Sequence, residues 1–195
     1  MFIQIQQILD LPISDERKTV IEPLRKYLKE QLQLGNPIRL NFICTHNSRR
    51  SQFSQVWAHV AAHYYKLPIA SFSGGVEVTA FNPRAVKALE NIGFRVESAG
   101  RDNPLYRLFF SEDADPVRGF SKLYDDAENP QQRFAAVMTC SHADENCPYL
   151  PTADVRIPLL YEDPKAFDDT EFEEKAYADR SLQIASEIFY AFRGL

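Results

Sequence analysis

One cysteine, one asparagine, two serines and two arginines fall within eight residues at Cys44 to Ser51, CTHNSRRS. Sulfur attacks as the thiolate, and a thiolate is favoured where free amide N–H groups and positive charge converge. A polar loop leading into a helix offers both: open N–H donors and about half a positive charge. Cys44 and Arg50 flank five residues. A loop that short can curl its amides around one tetrahedral oxyanion while the Arg50 fork holds two of its oxygens. Ser51 can donate a hydroxyl hydrogen bond to the sulfur, and Thr45, His46, Asn47, Ser48 and Arg49 complete the lining. The plainer alternative is a cysteine buried as a small hydrophobe, with Arg49 and Arg50 as solvated charge.

Such a loop needs a strand to deliver it and a helix to receive it. Ile38, Leu40, Phe42 and Ile43 form the strand run before it. Phe53, Val56, Trp57, Val60, Ala61 and Tyr64 make the inner stripe of a helix reaching about Lys66. Residues 68–73 read as a second strand, followed by a loop through Gly74 and Gly75. Asn82-Pro83 opens a helix that Gly93 closes. Apolar runs at 133–140 and 154–161 read as two more strands, and Asp169 to Leu195 as a long amphipathic helix. Strands alternating with helices imply an α/β fold, a four-stranded parallel sheet with helices on both faces and right-handed crossovers. Ligands in such sheets bind beyond the carboxyl ends of the strands. Cys44, Cys140 and Asp163 each follow a strand run, so they can converge on one rim. Asp163, before Pro164, is placed to act as general acid on a leaving oxygen.

Cys140 and Cys147 lie seven apart in TCSHADENCP. Two helical turns put such residues roughly 10 Å apart, whereas a disulfide needs Cα atoms about 4.4–6.8 Å apart. If the segment is helical when reduced, the bond forms only after it unwinds.

The loop resembles that of the low-molecular-weight tyrosine phosphatase superfamily, with Cys44, Asn47, Ser48, Arg50 and Ser51 on family positions. His46 stands where a glycine is usual, and Arg49 where many members carry a second cysteine. The resemblance implies the same four-stranded fold, and it implies that the Asp163-Pro164 pair protonates the leaving group. The Cys140–Cys147 segment and the following CPYLP are similar to the thioredoxin-coupled arsenate reductases of that fold. That likeness, over about residues 38–97 and 133–195, implies reduction of arsenate by a cascade. Cys44 takes the oxyanion, Cys140 resolves the adduct, Cys147 closes a disulfide with Cys140, and thioredoxin reduces it. No organic cofactor is implied. Members that bind potassium carry an acidic residue where this chain has Gln55, so no ion is assigned. Two other readings stay open: a phosphatase working through a phosphocysteine, and a non-enzymatic module in which Cys44, Cys140, His142 and Cys147 hold zinc.

The chain has 195 residues and a net charge of −5, which suits one soluble domain and no general affinity for nucleic acid or anionic membrane. No window is long and apolar enough to span a bilayer. The start has no basic n-region, so no signal peptide is read, and three cysteines without an export signal suit reduced thiols in the cytoplasm. Residues 1–36 read as a helical extension, with Ser14 as N-cap and Pro23 as a possible kink. Residues 98–132 read as an insert, a hairpin or irregular stretch. Its aromatics either wall the cleft or form a local core. His59 and His63, four apart, read as solvent-exposed rather than as metal ligands.

Overall fold

A computed structural model describes residues 2–146 and 150–195. At its centre is β1 (Ile38–Cys44). Ile38, Leu40 and Phe42 are buried in the larger core, and Ile43 and Cys44 in a smaller one. Ile43 faces away from Leu40 and Phe42 because successive side chains alternate, and Cys44, at the strand's end, joins it in the smaller core. β1 pairs in parallel with β2 (Ile69–Gly75) on one side and β6 (Ala135–Met138) on the other, and β7 (Val155–Pro158) extends the sheet beyond β6. The order is β2-β1-β6-β7. From β1 the chain moves one way to β2, then crosses back over β1 to β6. The carboxyl ends of β1 and β6 therefore form the switch point, where an open parallel sheet leaves a crevice.

The larger core is built with α1 (Ile5–Leu9), α2 (Asp15–Gln33), α3 (Arg50–Tyr65), α4 (Pro83–Ile92) and α6 (Glu173–Phe192). The short α5 (Ser141–Asn146) covers the other face, where Ala143 joins Ile43, Phe134, Ala136 and Met138. Ser14 caps α2 by accepting from Arg17 N, and the helix runs on through Pro23 to Gln33. Asn82 caps α4 from Arg84 N, and Gly93 ends it with φ +117°.

Several local expectations change. β2 extends to Gly75 rather than stopping at residue 73, because Gly74 and Gly75 stay paired with Ile43 and Cys44. Other chain passes directly over both: a Cβ on Gly74 would lie 2.3 Å from Tyr124 Cα, and one on Gly75 2.7 Å from Asn47 N. Only residues without side chains let the strand continue beneath. The stretch read as a hairpin or irregular insert is a three-stranded antiparallel sheet of β3 (Arg95–Ala99), β4 (Leu105–Phe109) and β5 (Val117–Gly119). It starts before residue 98, since Arg95 to Ala99 pair with Phe109 to Leu105. The last helix starts at Glu173 instead of Asp169. Asp169 has φ +62°, which a helix does not accommodate, and a 3₁₀ turn at Pro164–Phe167 precedes it. His59 and His63 are half-buried rather than fully exposed: both rings meet Phe110 edge-on, 5.6 and 5.4 Å between centroids. Burial pushes the His59 imidazole pKa down.

Candidate active site

Cys44 ends β1 and is 3% exposed. Its Sγ lies 3.0 Å from Ser51 Oγ in the first turn of α3. Asn47 Nδ2 donates to the same oxygen at 2.9 Å. That bond takes one Ser51 lone pair and leaves the hydroxyl hydrogen able to point at a Cys44 thiolate. Asn47 takes φ +47°, a conformation asparagine tolerates better than most residues. Its Oδ1 accepts from Lys122 N at 3.0 Å. Gln52 Nε2 donates to Asn47 O and Phe120 O. Ser121 Oγ and Thr79 Oγ1 both donate to His46 O, and Asn82 N donates to Ser48 O.

The loop's carbonyls and side chains are thus tied outward to the rest of the fold. Its amides are not: among the described residues, the N–H groups of His46 to Arg50 donate to no protein acceptor. Several open donors at a helix N-terminus form an anion-binding concavity. The His46 ring reaches outward to Glu77, 3.3 Å away.

Both arginines turn toward the rim above β7. Arg50 Nη2 donates to Asp163 Oδ2 at 2.7 Å and Nη1 to Tyr161 O at 3.1 Å, while its buried Nε has no partner among the described residues. Arg49 Nε donates to Tyr177 OH at 2.8 Å and lies 3.9 Å from Asp163, and Arg49 Nη2 lies 3.8 Å from Asp168. Tyr177 OH in turn donates to Asp168 Oδ1 at 2.7 Å. Burial, with Asp168 beside it, pushes the Tyr177 pKa up to about 12, so it stays a neutral donor. Asp163 caps the 3₁₀ turn by accepting from Lys165 N, which fixes its backbone beside Arg50.

Cys140 follows β6 and is 1% exposed, in the same small core as Cys44. Thr45 Oγ1 lies 3.4 Å from Cys140 Sγ and 3.3 Å from His142 Nδ1. Ala143 N also approaches Cys140 Sγ at 3.4 Å. Ser141–Asn146, the stretch between the two cysteines, is helical, and Cys147 lies outside the described residues. No cluster of three or more His, Cys, Asp or Glu suited to a metal occurs among the described residues, a set that omits Cys147.

The structure therefore gathers Cys44, Arg50, Ser51, Asp163 and Cys140 at one end of the sheet. The insert's part differs from the one expected of its aromatics. It supports the loop through Ser121, the Phe120 carbonyl and the Lys122 amide, while Tyr106 packs on Phe81 and Phe110 is core. Sequence reasoning also missed Gly75, Gln52 and Tyr177. Of these only Gly75 left a trace, as half of a Gly-Gly pair at a strand end. A cavity of about 500 Å³ opens on the far side of Asp163, lined by Glu162, Pro164, Phe167, Phe172 and Arg180 among others, and not by Cys44.

No family model matches the chain. An arsenate reductase of Brevibacillus brevis is 28% identical over 140 residues, 72% of this chain and 87% of that protein. Two solved structures are similar at lower identity. An arsenate reductase in the phosphate-binding state has a TM-score of 0.48 at 17% identity, covering 80% of this chain and 96% of its own. A low-molecular-weight phosphotyrosine phosphatase from Vibrio cholerae has a TM-score of 0.47 at 15% identity, covering 77% and 92%. The sequence likeness to the Brevibacillus brevis arsenate reductase therefore runs along 72% of the chain. No helix among the described residues is long and apolar enough to cross a membrane.

Proposed function

We propose, starting from this sequence kinship with arsenate reductases, that the chain reduces arsenate to arsenite through a cysteine relay. The observation that carries the reading is Thr45, the residue after Cys44, within 3.4 Å of Cys140 Sγ. A second sulfur beside the nucleophile's loop is what a reductase needs and a simple esterase does not.

Arsenate enters the amide cup and exchanges for Asp163 on the Arg50 guanidinium. The Cys44 thiolate attacks arsenic, forming an S–As bond, while Asp163 protonates the departing oxygen, which leaves as water. Cys140, as thiolate, attacks Cys44 Sγ. A Cys44–Cys140 bond forms, the S–As bond breaks, and its electron pair stays on arsenic, which departs as arsenite. Cys147 then attacks Cys140, releasing Cys44 as thiolate, and a dithiol protein such as thioredoxin reduces the Cys140–Cys147 disulfide. Ser51 holds the Cys44 sulfur at attack and again at release. Thr45, His46, Asn47, Ser48 and Arg49 shape the cup, and Arg49, tied to Tyr177, holds the Asp163 side of it.

The second reading is hydrolysis of an aryl phosphate by the same cup. The cavity beside Asp163, with Phe167 and Phe172 on its walls, favours it, because an aromatic leaving group departing toward Asp163 would have somewhere to lie. One experiment separates the two. Arsenate-dependent NADPH oxidation is measured with thioredoxin and its reductase, beside para-nitrophenyl phosphate hydrolysis, for the native chain and Cys140→Ser. A reductase loses arsenate turnover in the variant and keeps any ester hydrolysis. No arsenate turnover by the native chain would sink the first reading.

A further inference from the structure

Thr45 Oγ1 stands between two groups, Cys140 Sγ at 3.4 Å and His142 Nδ1 at 3.3 Å. One hydroxyl can accept from one neighbour and donate to the other. Cys140 is 1% exposed, so water has little access to its proton. His142 stands at the exposed surface of α5, where an imidazole can hand a proton to solvent. The chain thus links a buried thiol, a hydroxyl and an exposed imidazole in series.

We propose that His142 and Thr45 form a proton relay that readies Cys140 as the resolving nucleophile. It rests on the reductase reading, because only a resolving role requires Cys140 to attack. In the step, the Cys140 S–H proton passes to Thr45 Oγ1 as the Thr45 hydroxyl proton passes to His142 Nδ1. The electron pair left on Cys140 sulfur forms the bond to Cys44 Sγ, and the S–As pair remains on arsenic as arsenite departs. His142 touches neither arsenic nor Cys44 and is a positioning residue. The amide of Ala143 steadies the resulting thiolate. Among the described residues, the titratable and charged groups around Cys140 are Tyr124, Cys44 on β1, His142, Asp144 and Glu145 on α5, and Arg156 on β7, which pairs with Asp144 at 3.0 Å.

The test follows the rate of Cys140 alkylation by iodoacetamide against pH, with peptide mass mapping to separate the three cysteines in the full-length chain. His142→Ala and Thr45→Val each lower the Cys140 rate at pH 7 about tenfold, which is one unit along the pH axis, and move the rising limb to higher pH. The Cys44 curve in His142→Ala stays in place, and Thr45→Ser restores the Cys140 curve. A change of access alone alters the rate at every pH without moving the limb. An unmoved limb in both variants overturns the relay, and so does a shift in His142→Ala with none in Thr45→Val, which would leave the hydroxyl out of the path. Because no arsenate is present, a chain that fails to turn over arsenate still gives this result. Loss of the relay and loss of the reductase reading are therefore told apart.

Discussion

The two segments that carry sulfur at the switch point are built differently. The Cys44 loop is tied at nearly every position: Asn47 to Ser51 and Lys122, Gln52 to two carbonyls, His46 O to Ser121 and Thr79, and the backbone laid against Gly75. The Cys140 segment is one short helix, held among the described residues by Thr45, by Arg156 on Asp144 and on the Ala143 and Asp144 carbonyls, and by the buried Ala143. An anion site works by donors already in place before the anion arrives, so its loop is over-determined. Under the proposed relay, the Cys140 sulfur has to meet Cys44 and then Cys147, which calls for a segment that can be rearranged, and a six-residue helix contributes little of its own to hold it.

That contrast can be broken at either end. The largest effect belongs to the nucleophile. Cys44→Ser lowers arsenate turnover about a thousandfold or more, while thermal unfolding stays near that of the native chain. Gly75→Ala puts a Cβ 2.6 Å from Glu77 O and 2.7 Å from Asn47 N, both backbone atoms that cannot step aside singly. It is expected to cost about 1–3 kcal/mol of stability and to weaken inorganic phosphate binding, read by urea titration and calorimetry. An unchanged phosphate affinity would show that the loop is less tightly fixed than its bonds suggest.

Lys122 sits behind the loop with its ammonium 4.6 Å from the Phe120 ring centroid, and burial pulls its pKa down to about 8. The folded state therefore releases this proton at lower pH than the unfolded chain does. Stability from this group rises with pH between about 8 and the unfolded value of 10.5, and the burial cost is fully present below 8. Lys122→Met keeps the backbone bond to Asn47. It is expected to add about 1–2 kcal/mol at pH 7 and to flatten the rise between pH 8 and 10 in urea titrations run across pH. The smallest effect is at the other segment. Arg156→Ala removes a partly exposed ion pair together with hydrogen bonds to the Ala143 and Asp144 carbonyls, costs about 1 kcal/mol, and speeds alkylation of Cys140. An equally large acceleration at Cys44 would erase the distinction between the two segments.

Much of the frame was legible before any coordinates. The apolar runs around Ile38 and Ala135 marked strands because both faces of a central parallel strand are buried, and the run at Val155 marked the partly buried edge strand beside them. Ser14, Asn82-Pro83 and Gly93 marked helix ends by local capping chemistry. The insert was harder to read. Arg95 to Ala99 carry charged and small residues, and their pairing with Leu105 to Phe109 draws on partners the local pattern does not name. The histidines at 59 and 63 misled for the same reason: only the fold brings Phe110 against them.

The sequence by itself settled which atoms could react: a sulfur before a five-residue gap to arginine, a serine beside it, a carboxylate before proline, and two further sulfurs seven apart. Those are covalent facts about neighbours along the chain, together with a periodicity that reports burial. Only the tertiary structure decided that Arg50 rests on Asp163, that Gly75 and Ser121 hold the loop from behind, and that Thr45 joins Cys140 to His142. Each of those contacts spans from about thirty to over a hundred residues of chain, and its geometry is set by how the sheet and helices pack, which no local pattern encodes.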